Sequence, residues 1–119
     1  MNPSPQFAVI VISYNTRDLL LECLSSIIRS TNNAHVEIVV VDNSSQDQSV
    51  EAVAQTYPQV RTISNETNLG FGAACNQGIK ATSAPLILLL NSDARLTTES
   101  FGALCDAVNL DHSCGAAGC

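Results

Sequence analysis

The feature that most restricts the fold is an alternation of two hydrophobic periods along the chain. Short apolar runs, the first of which is FAVIVIS over Phe7–Ser13, have strand length and no polar face. Between them lie segments with apolar residues three and four positions apart, such as Leu20 to Ile28, which is the spacing of a helix face. Four strand–helix units follow one another, and strands that are apolar on both faces predict a parallel sheet with helices on both sides.

The boundaries follow from the same pattern. Strands are predicted over Phe7–Ser13, Val36–Asp42, Val60–Ser64 and Leu86–Asn91. The predicted helical faces are Leu20, Cys23, Leu24, Ile27 and Ile28; Val50, Val53, Ala54 and Tyr57; Phe71, Ala74, Cys75, Gly78 and Ile79; and Phe101, Leu104, Cys105 and Val108. The predicted helix caps are Asn15 or Thr16, Ser44 or Ser45, and Thr97 or Thr98. With right-handed crossovers, the chain is expected to form one Rossmann-like three-layer α/β domain over residues 1–119. The run LILLL is expected to be a central strand buried between the helix layers.

Charge and hydropathy exclude several classes of partner. The net charge is -6, from 11 acidic and 5 basic residues, so a broad basic face for nucleic acid or an anionic membrane is not expected. No run approaches the 18 apolar residues that indicate a transmembrane helix. The N-terminal MNPSPQ lacks the basic start and apolar stretch of a secretion signal. A cytoplasmic location is therefore expected, with peripheral attachment at the inner face of the membrane as the alternative.

Polar residues follow every predicted strand. They are Ser13-Tyr14-Asn15-Thr16, Asp42-Asn43-Ser44-Ser45, Asn65 to Gly70, and Asn91-Ser92-Asp93. Because ligands of an open parallel sheet bind beyond the carboxyl ends of its strands, these four segments are expected to share one pocket. Asp42 and Asp93 taken singly are also typical of turns and caps, and Tyr14 taken singly is equally typical of a packed rim.

Known phosphate motifs do not fit the chain. Gly70-x-Gly72 follows the third strand rather than the first and continues to Cys75, which argues against a nicotinamide or flavin enzyme. No Walker-type phosphate loop and no Gly-x-Ser-x-Gly elbow are present. What remains is nucleotide recognition assisted by a divalent metal. Tyr14 can stack on a base, Asp42 can accept a hydrogen bond from a base imide, and Asp93 can bind Mg²⁺ or Mn²⁺ together with a diphosphate.

Four segments in order resemble the nucleotide-binding half of family 2 glycosyltransferases, which have the GT-A fold. They are VIVISYNTRDLLLECLSSI, VEIVVVDNSSQDQS, NLGFGAACNQGI and LILLLNSDARL, and they cover about residues 7 to 105. The combination of NLGFG with NSDA is most similar to the rhamnosyltransferase-like branch, which works in bacterial polysaccharide assembly.

The resemblance implies a function for particular residues. Ser13, Tyr14 and Asn15 would line the nucleobase and ribose pocket, and Asp42 would bind the base. Asn68, Gly70 and Asn76 match a loop–helix motif near the donor. Asn91-Ser92-Asp93 takes the place of the family's Asp-x-Asp metal motif, with Asn91 and Asp93 as the expected metal ligands and Ser92 beside the nucleotide. The implied reaction is inverting transfer from a nucleoside diphosphate sugar to the hydroxyl of a saccharide or lipid-linked acceptor.

The resemblance also leaves alternatives open. Family members continue into an acceptor half with an Asp or Glu general base, whereas this chain ends at Cys119 with no acidic residue after Asp111. The chain is therefore expected to be truncated before that half, with its catalytic residues unknown and its exposed edge favouring homo-oligomers. A catalytically inactive nucleotide-binding module is the alternative function. A nucleotidyltransferase is a third, disfavoured because SYNTRD lacks the expected glycine-rich loop.

Overall fold

The computed structural model describes residues 7–31 and 36–110, with the side chains of residues 107–110 excepted. The strands are β1 (Phe7–Ser13), β2 (Val36–Asp42), β3 (Arg61–Ser64) and β4 (Leu86–Asn91), and the helices are α1 (Arg17–Thr31), α2 (Ser49–Thr56), α3 (Phe71–Lys80) and α4 (Thr98–Leu110). Strands and helices alternate, as the sequence predicts, and the third strand begins one residue later than expected.

All strands of the sheet are parallel, in the order β3-β2-β1-β4. The register places Ser13 beside Asp42, Ile12 beside Asn91, and Asp42 beside Ser64. The carboxyl ends of the four strands therefore lie along one edge of the sheet. The predicted Rossmann-like α/β fold is confirmed.

Alternate residues of β1 enter two different cores. Val9 and Val11 pack in the larger cluster, which includes Leu20 and Leu24 of α1. Ile10 packs on the opposite face with Val39, Val41 and Ala74. On that face, α3 approaches β1 so closely that a Cβ on Gly78 would lie 2.4 Å from Ile10 Cγ2. A glycine at this position is therefore what allows α3 to pack on the strand.

β4 differs from its prediction. In the described ranges it is an outer strand of the sheet, and Ile87 and Leu89 are 38% and 42% exposed. Their register partners are Ala8 and Ile10, which puts them on the face covered by α3. Because α3 packs on β1 and β2, it leaves these two side chains open. The expectation of a central strand buried on both faces was wrong.

Several helix details also differ from prediction. α2 begins at Ser49 after Gln48, so neither Ser44 nor Ser45 caps it. Phe71 and Ile79 of the predicted α3 face are exposed rather than buried. The α4 cap is confirmed at Thr97, whose Oγ1 accepts the Ser100 N–H at 3.0 Å. The side chain of Val108, predicted for the α4 face, lies outside the described set.

Candidate functional site

A cleft of about 470 Å³ opens where β1 and β4 end. Its lining residues are Ile12, Ser13, Tyr14, Thr16, Leu19, Asn43, Asn68, Gly70, Phe71, Asn91, Ser92 and Asp93. Most of the residues predicted for the site are brought together here. Asn15, Asp42 and Asn76 are not among the lining residues, although Asn15 lies between Tyr14 and Thr16, and Asp42 ends β2 directly before Asn43.

A second groove of about 600 Å³ borders the β1–α1 loop. It is lined by Asn15, Thr16, Arg17, Asp18, Leu19, Gln46, Asp47 and Gln48. Although it is larger, this groove lacks Tyr14 and the Asn91–Asp93 turn. The cleft at the strand ends is therefore the better candidate, because it joins an exposed aromatic ring to the carboxylate that follows β4.

Asp42 closes a turn beneath the site. Its side chain is 1% exposed, and its two oxygens accept hydrogen bonds from Ser45: Oδ2 from the backbone N–H at 2.9 Å and Oδ1 from the hydroxyl at 2.6 Å. A carboxylate oxygen has more than one lone pair, so these bonds do not exhaust its capacity as an acceptor. In this structure the carboxylate fixes the position of Ser45.

Asn15 ties the β1–α1 loop to the β2–α2 loop. Its backbone N–H donates to Ser45 Oγ at 2.8 Å, and its side-chain Oδ1 accepts the Gln46 N–H at 2.8 Å. Its φ of 52° is left-handed, a conformation that asparagine tolerates better than most residues. Asp42, Ser45 and Asn15 thus form a chain of hydrogen bonds that ends at the residue after Tyr14.

Asp47 joins the same two loops from the other side, and sequence reasoning missed it. Its Oδ2 accepts the Arg17 N–H at 2.9 Å, so it caps α1 from a different loop, while its Oδ1 accepts the Ser49 N–H at 3.1 Å at the start of α2. Burial alone would raise the pKa of Asp47, but hydrogen bonds from Ser49 and Arg17 outweigh it and hold that pKa below its ordinary value. An Asp just before a helical segment is the signal that could have revealed it.

Asn43 was expected at the shared pocket only as part of the segment that follows β2, and the structure gives it a specific role. It is buried, its Nδ2 donates to the carbonyl of Gly70 at 3.2 Å, and its Oδ1 accepts from Asn65 Nδ2 at 3.0 Å. Asn65 in turn exchanges two hydrogen bonds of 2.8 Å with Gln77 of α3. These amides fix the loop between β3 and α3 against the end of β2.

That loop carries Asn68 and Gly70 to the cleft. Asn68 Oδ1 accepts the Gly70 N–H at 2.8 Å, and Gly70 has a φ of +84° with open space where a Cβ would stand. Phe71 follows and is 54% exposed, and Tyr14, which also lines the cleft, is 51% exposed. Asn76, one turn later, is exposed on α3 and lies away from the cleft lining.

Hydroxyl groups form the floor near β4. Ser13 and Ser92 are both buried, and Thr16 Oγ1 lies between them, 3.2 Å from Ser13 Oγ and 2.7 Å from Ser92 Oγ. Under the end of β4, the Cys23 thiol contacts the carbonyl of Asn91 at 3.7 Å. Burial raises the pKa of Cys23 to about 11, against a smaller lowering by Arg95 and with an added increase from Asp93. Cys23 is therefore a packed, protonated thiol rather than a nucleophile.

The donor set beside β4 suits a hard divalent cation. Asn91 and Asp93 are exposed and line the cleft, and they offer amide and carboxylate oxygens. No group of three or more His, Cys, Asp and Glu side chains with the geometry of a metal site occurs within residues 7–31 and 36–106. Mg²⁺ and Mn²⁺ sites commonly use one or two carboxylates and take the remaining ligands from phosphate and water, so the residues present fit such an ion.

Comparison with known proteins agrees with this architecture. The family described as glycosyl transferase family 2 matches residues 8–117. The chain belongs to glycosyltransferase family 2. Its sheet and flanking helices are the nucleotide-binding fold of GT-A glycosyltransferases, and the resemblance drawn from the four sequence segments is confirmed.

The names of relatives in the family refer to different sugars. A poly(ribitol-phosphate) beta-glucosyltransferase of Bacillus spizizenii is 32% identical over 100 residues, which cover 80% of this chain and 16% of that protein. An N-acetylglucosaminyl-diphospho-decaprenol L-rhamnosyltransferase of Mycobacterium tuberculosis is 28% identical over 121 residues, which cover 92% of this chain and 39% of that protein. The chain thus spans well under half the length of these relatives.

Among solved structures, S. aureus TarS 1-349 in complex with UDP-GlcNAc superposes with a TM-score of 0.79 at 27% identity. The superposition covers 90% of this chain and 32% of that one. Within the described residues, no helix combines the length and the hydrophobicity needed to cross a membrane.

Proposed function

We propose that this chain binds a nucleoside diphosphate sugar together with Mg²⁺ or Mn²⁺, as the donor site of an inverting glycosyl transfer. The observation that carries the proposal is a single cleft joining an exposed aromatic ring, Tyr14, to the exposed carboxylate of Asp93 across the ends of β1 and β4. Membership of glycosyltransferase family 2 and the similarity to a structure that contains UDP-GlcNAc support it.

The cleft has two sides. The nucleoside side is lined by Tyr14, Asn43, Asn68, Gly70 and Phe71, and the metal side is the turn Asn91–Asp93. On the nucleoside side, the base stacks on Tyr14 and the amide-rich loop of Asn68 and Gly70 offers polar contacts to the ribose. Asp42 is 1% exposed and does not line the cleft, so its proposed role is to support the base pocket by fixing Ser45 and, through it, Asn15 next to Tyr14.

On the metal side, Asp93 and Asn91 would hold the ion. The bound ion would supply positive charge against the diphosphate leaving group. Because the protein is acidic overall, with a net charge of -6, this charge would not come from a general basic surface. The residues of this chain bind the donor, orient its diphosphate and keep the base in place.

The names of two relatives support the class of acceptor. One includes a poly(ribitol-phosphate) and the other a diphospho-decaprenol carrier. We therefore infer a saccharide or lipid-linked acceptor for the protein to which this domain contributes, in polysaccharide biosynthesis. Transfer of radiolabelled sugar to such an acceptor distinguishes an active transferase from a module that only binds nucleotide.

A nucleotide panel tests donor binding directly. Melting temperatures are measured with UDP, GDP, dTDP, CDP and ADP, each with and without Mn²⁺. At least one nucleoside diphosphate is expected to raise the melting temperature, and Mn²⁺ is expected to increase that rise. Without a rise for any of the five, the proposed donor site is wrong.

Tyrosine fluorescence tests the stacking of the base. The chain has no Trp and two Tyr, so in a Tyr57→Phe background Tyr14 is the only fluorophore excited near 280 nm. A base stacked on its ring quenches the emission. Emission that stays constant at saturating nucleotide excludes stacking on Tyr14, whether or not binding occurs.

A further inference from the structure

Thr16 stands at the N-terminus of α1 but does not cap it with its side chain. Its carbonyl accepts the Leu20 N–H at 2.7 Å, which is the first hydrogen bond of the helix. A threonine at this position normally turns its hydroxyl to an N–H group of the first turn. Here Thr16 Oγ1 instead faces Ser92 Oγ at 2.7 Å and Ser13 Oγ at 3.2 Å, while Asp47 of the neighbouring loop accepts the Arg17 N–H. The Thr16 hydroxyl is thus directed away from the helix and toward the turn that follows β4.

That partner is the middle residue of the metal side. Ser92 is 8% exposed, whereas Asn91 and Asp93 on either side of it are exposed at the cleft. The turn is closed by the Ala94 N–H, which donates to the Asn91 carbonyl at 2.9 Å. Because the inward-facing side chain of Ser92 is hydrogen-bonded to Thr16, directly before α1, the side chains of Asn91 and Asp93 on the outer face of the turn are held in one orientation.

We propose that Thr16 is a positioning residue that holds the Asn91–Asp93 turn through Ser92, so that Asp93 faces the metal and the diphosphate. This inference rests on the proposed function. It assigns to Thr16 a role in metal-dependent binding that is separate from any contact with the nucleotide itself. Such a contact is the competing explanation, because Thr16 also lines the cleft.

The ratio of two dissociation constants separates these explanations. The dissociation constants of UDP, GDP and dTDP are each measured without and with Mn²⁺. The metal-free constant divided by the constant with Mn²⁺ measures how much the metal strengthens binding. In Thr16→Val, which keeps the shape and removes the hydroxyl, this ratio is expected to fall roughly five- to tenfold, as expected for one lost hydrogen bond. Metal-free binding is expected to stay within about twofold of the original protein, since no nucleotide contact is removed.

Thr16→Ser is the matched control, because it keeps the hydroxyl and is expected to have the same ratio as the original protein. Ser92→Ala removes the other half of the contact and is expected to lower the ratio as Thr16→Val does, which provides a test if the valine variant folds poorly. A metal ratio that is unchanged in both variants overturns the inference. Equal weakening of metal-free and metal-bound affinity also overturns it, because that result indicates a direct nucleotide contact. If the unmutated chain binds none of the three nucleotides, the proposed function fails first and this inference with it.

Discussion

The two sides of the cleft are held in place very differently. On the nucleoside side, Asp42, Asn15 and Asn43 link three loops through several hydrogen bonds, which are partly buried at Asp42 and Asn43 and exposed at Asn15. On the metal side, Asn91 and Asp93 project from a short turn whose inward contact is the Ser92 hydroxyl. This difference leads us to expect that the fold preorganises the proposed base pocket, whereas the proposed metal site is completed only when phosphate and water supply the remaining ligands. Substitutions on the nucleoside side should therefore cost stability as well as binding, whereas those on the metal side should cost binding alone.

Asp42→Ala should have the largest effect on stability. The variant leaves the N–H and hydroxyl of Ser45 without their acceptor in a partly buried turn. We expect the free energy of unfolding to fall by about 1.5–3 kcal/mol, and nucleotide affinity to weaken even without metal. Urea unfolding and metal-free titration measure the two effects. Asp106→Ala, which removes an exposed carboxylate of α4, serves as the control. Unchanged metal-free affinity in Asp42→Ala would contradict its role on the nucleoside side.

Asn43→Asp should have a smaller effect at nearly constant shape. It removes the Nδ2 donor and turns a carboxylate oxygen toward the carbonyl of Gly70. We expect a loss of about 1 kcal/mol in the free energy of unfolding. Amide hydrogen exchange at Leu69, whose N–H reaches Asn43 Oδ1, should reveal any displacement of the loop. Asn76→Asp, the same change on an exposed face of α3, should leave stability unchanged; an equal loss in both would show that added negative charge, not the loop contact, is responsible.

The contribution of Asp47 to stability should depend on pH. Its folded pKa is lowered, whereas an unfolded Asp titrates near about 3.9. As the pH falls below about 4, the unfolded chain binds this proton more readily than the folded one, so the stability that Asp47 supplies at neutral pH is lost. The Asp47→Asn variant cannot lose stability by protonation at this position. Its free energy of unfolding, measured with urea at a series of pH values, should therefore fall less between neutral and acid pH than that of the original protein. If the two proteins lose the same free energy of unfolding at acid pH, the lowered pKa of Asp47 does not contribute to stability, because their other carboxylates are the same.

Asp93→Ala should leave stability within about 0.5 kcal/mol, as for an exposed residue away from packed contacts. The same substitution is expected to remove the enhancement of nucleotide binding by Mn²⁺, because Asp93 is the one carboxylate among the described residues that line the cleft. Calorimetric titration with and without Mn²⁺ measures this directly. An enhancement that survives in the variant would show that the metal binds elsewhere, and a large loss of stability would contradict the contrast between the two sides.

The sequence predicted the architecture well because the hydrophobic period carries it. The run FAVIVIS became β1, and the apolar face from Leu20 to Ile27 became the packed face of α1. The same signal failed where burial depends on which layer covers a strand. Ile87 and Leu89 have the composition of a central strand, yet they lie beside a helix that packs on other strands. Apolar composition reports that a surface favours burial, whereas the sheet order determines what lies against it.

The site was predictable to the level of segments and not of contacts. Polar residues at strand ends located Tyr14 and Asp93 correctly at one cleft, because parallel strands bring their carboxyl ends to one edge. The roles of Asn43 and Thr16 depend on partners 27 and 76 residues away. Those pairings are set by the register of neighbouring strands and by loop conformations with positive φ, which one-dimensional patterns do not encode.

The buried thiol of Cys23 can report local opening on the metal side of the cleft. Cys23 is fully buried and its burial raises the pKa of the thiol to about 11, so alkylating reagents react with this thiol in the folded protein very slowly. Any motion that lifts the end of β4 away from α1 exposes this sulfur and shortens the reaction time. Because Cys23 touches the carbonyl of Asn91, the labelling rate read from its peptide by mass spectrometry would follow how often the turn opens, and how far a bound metal and nucleotide hold it shut.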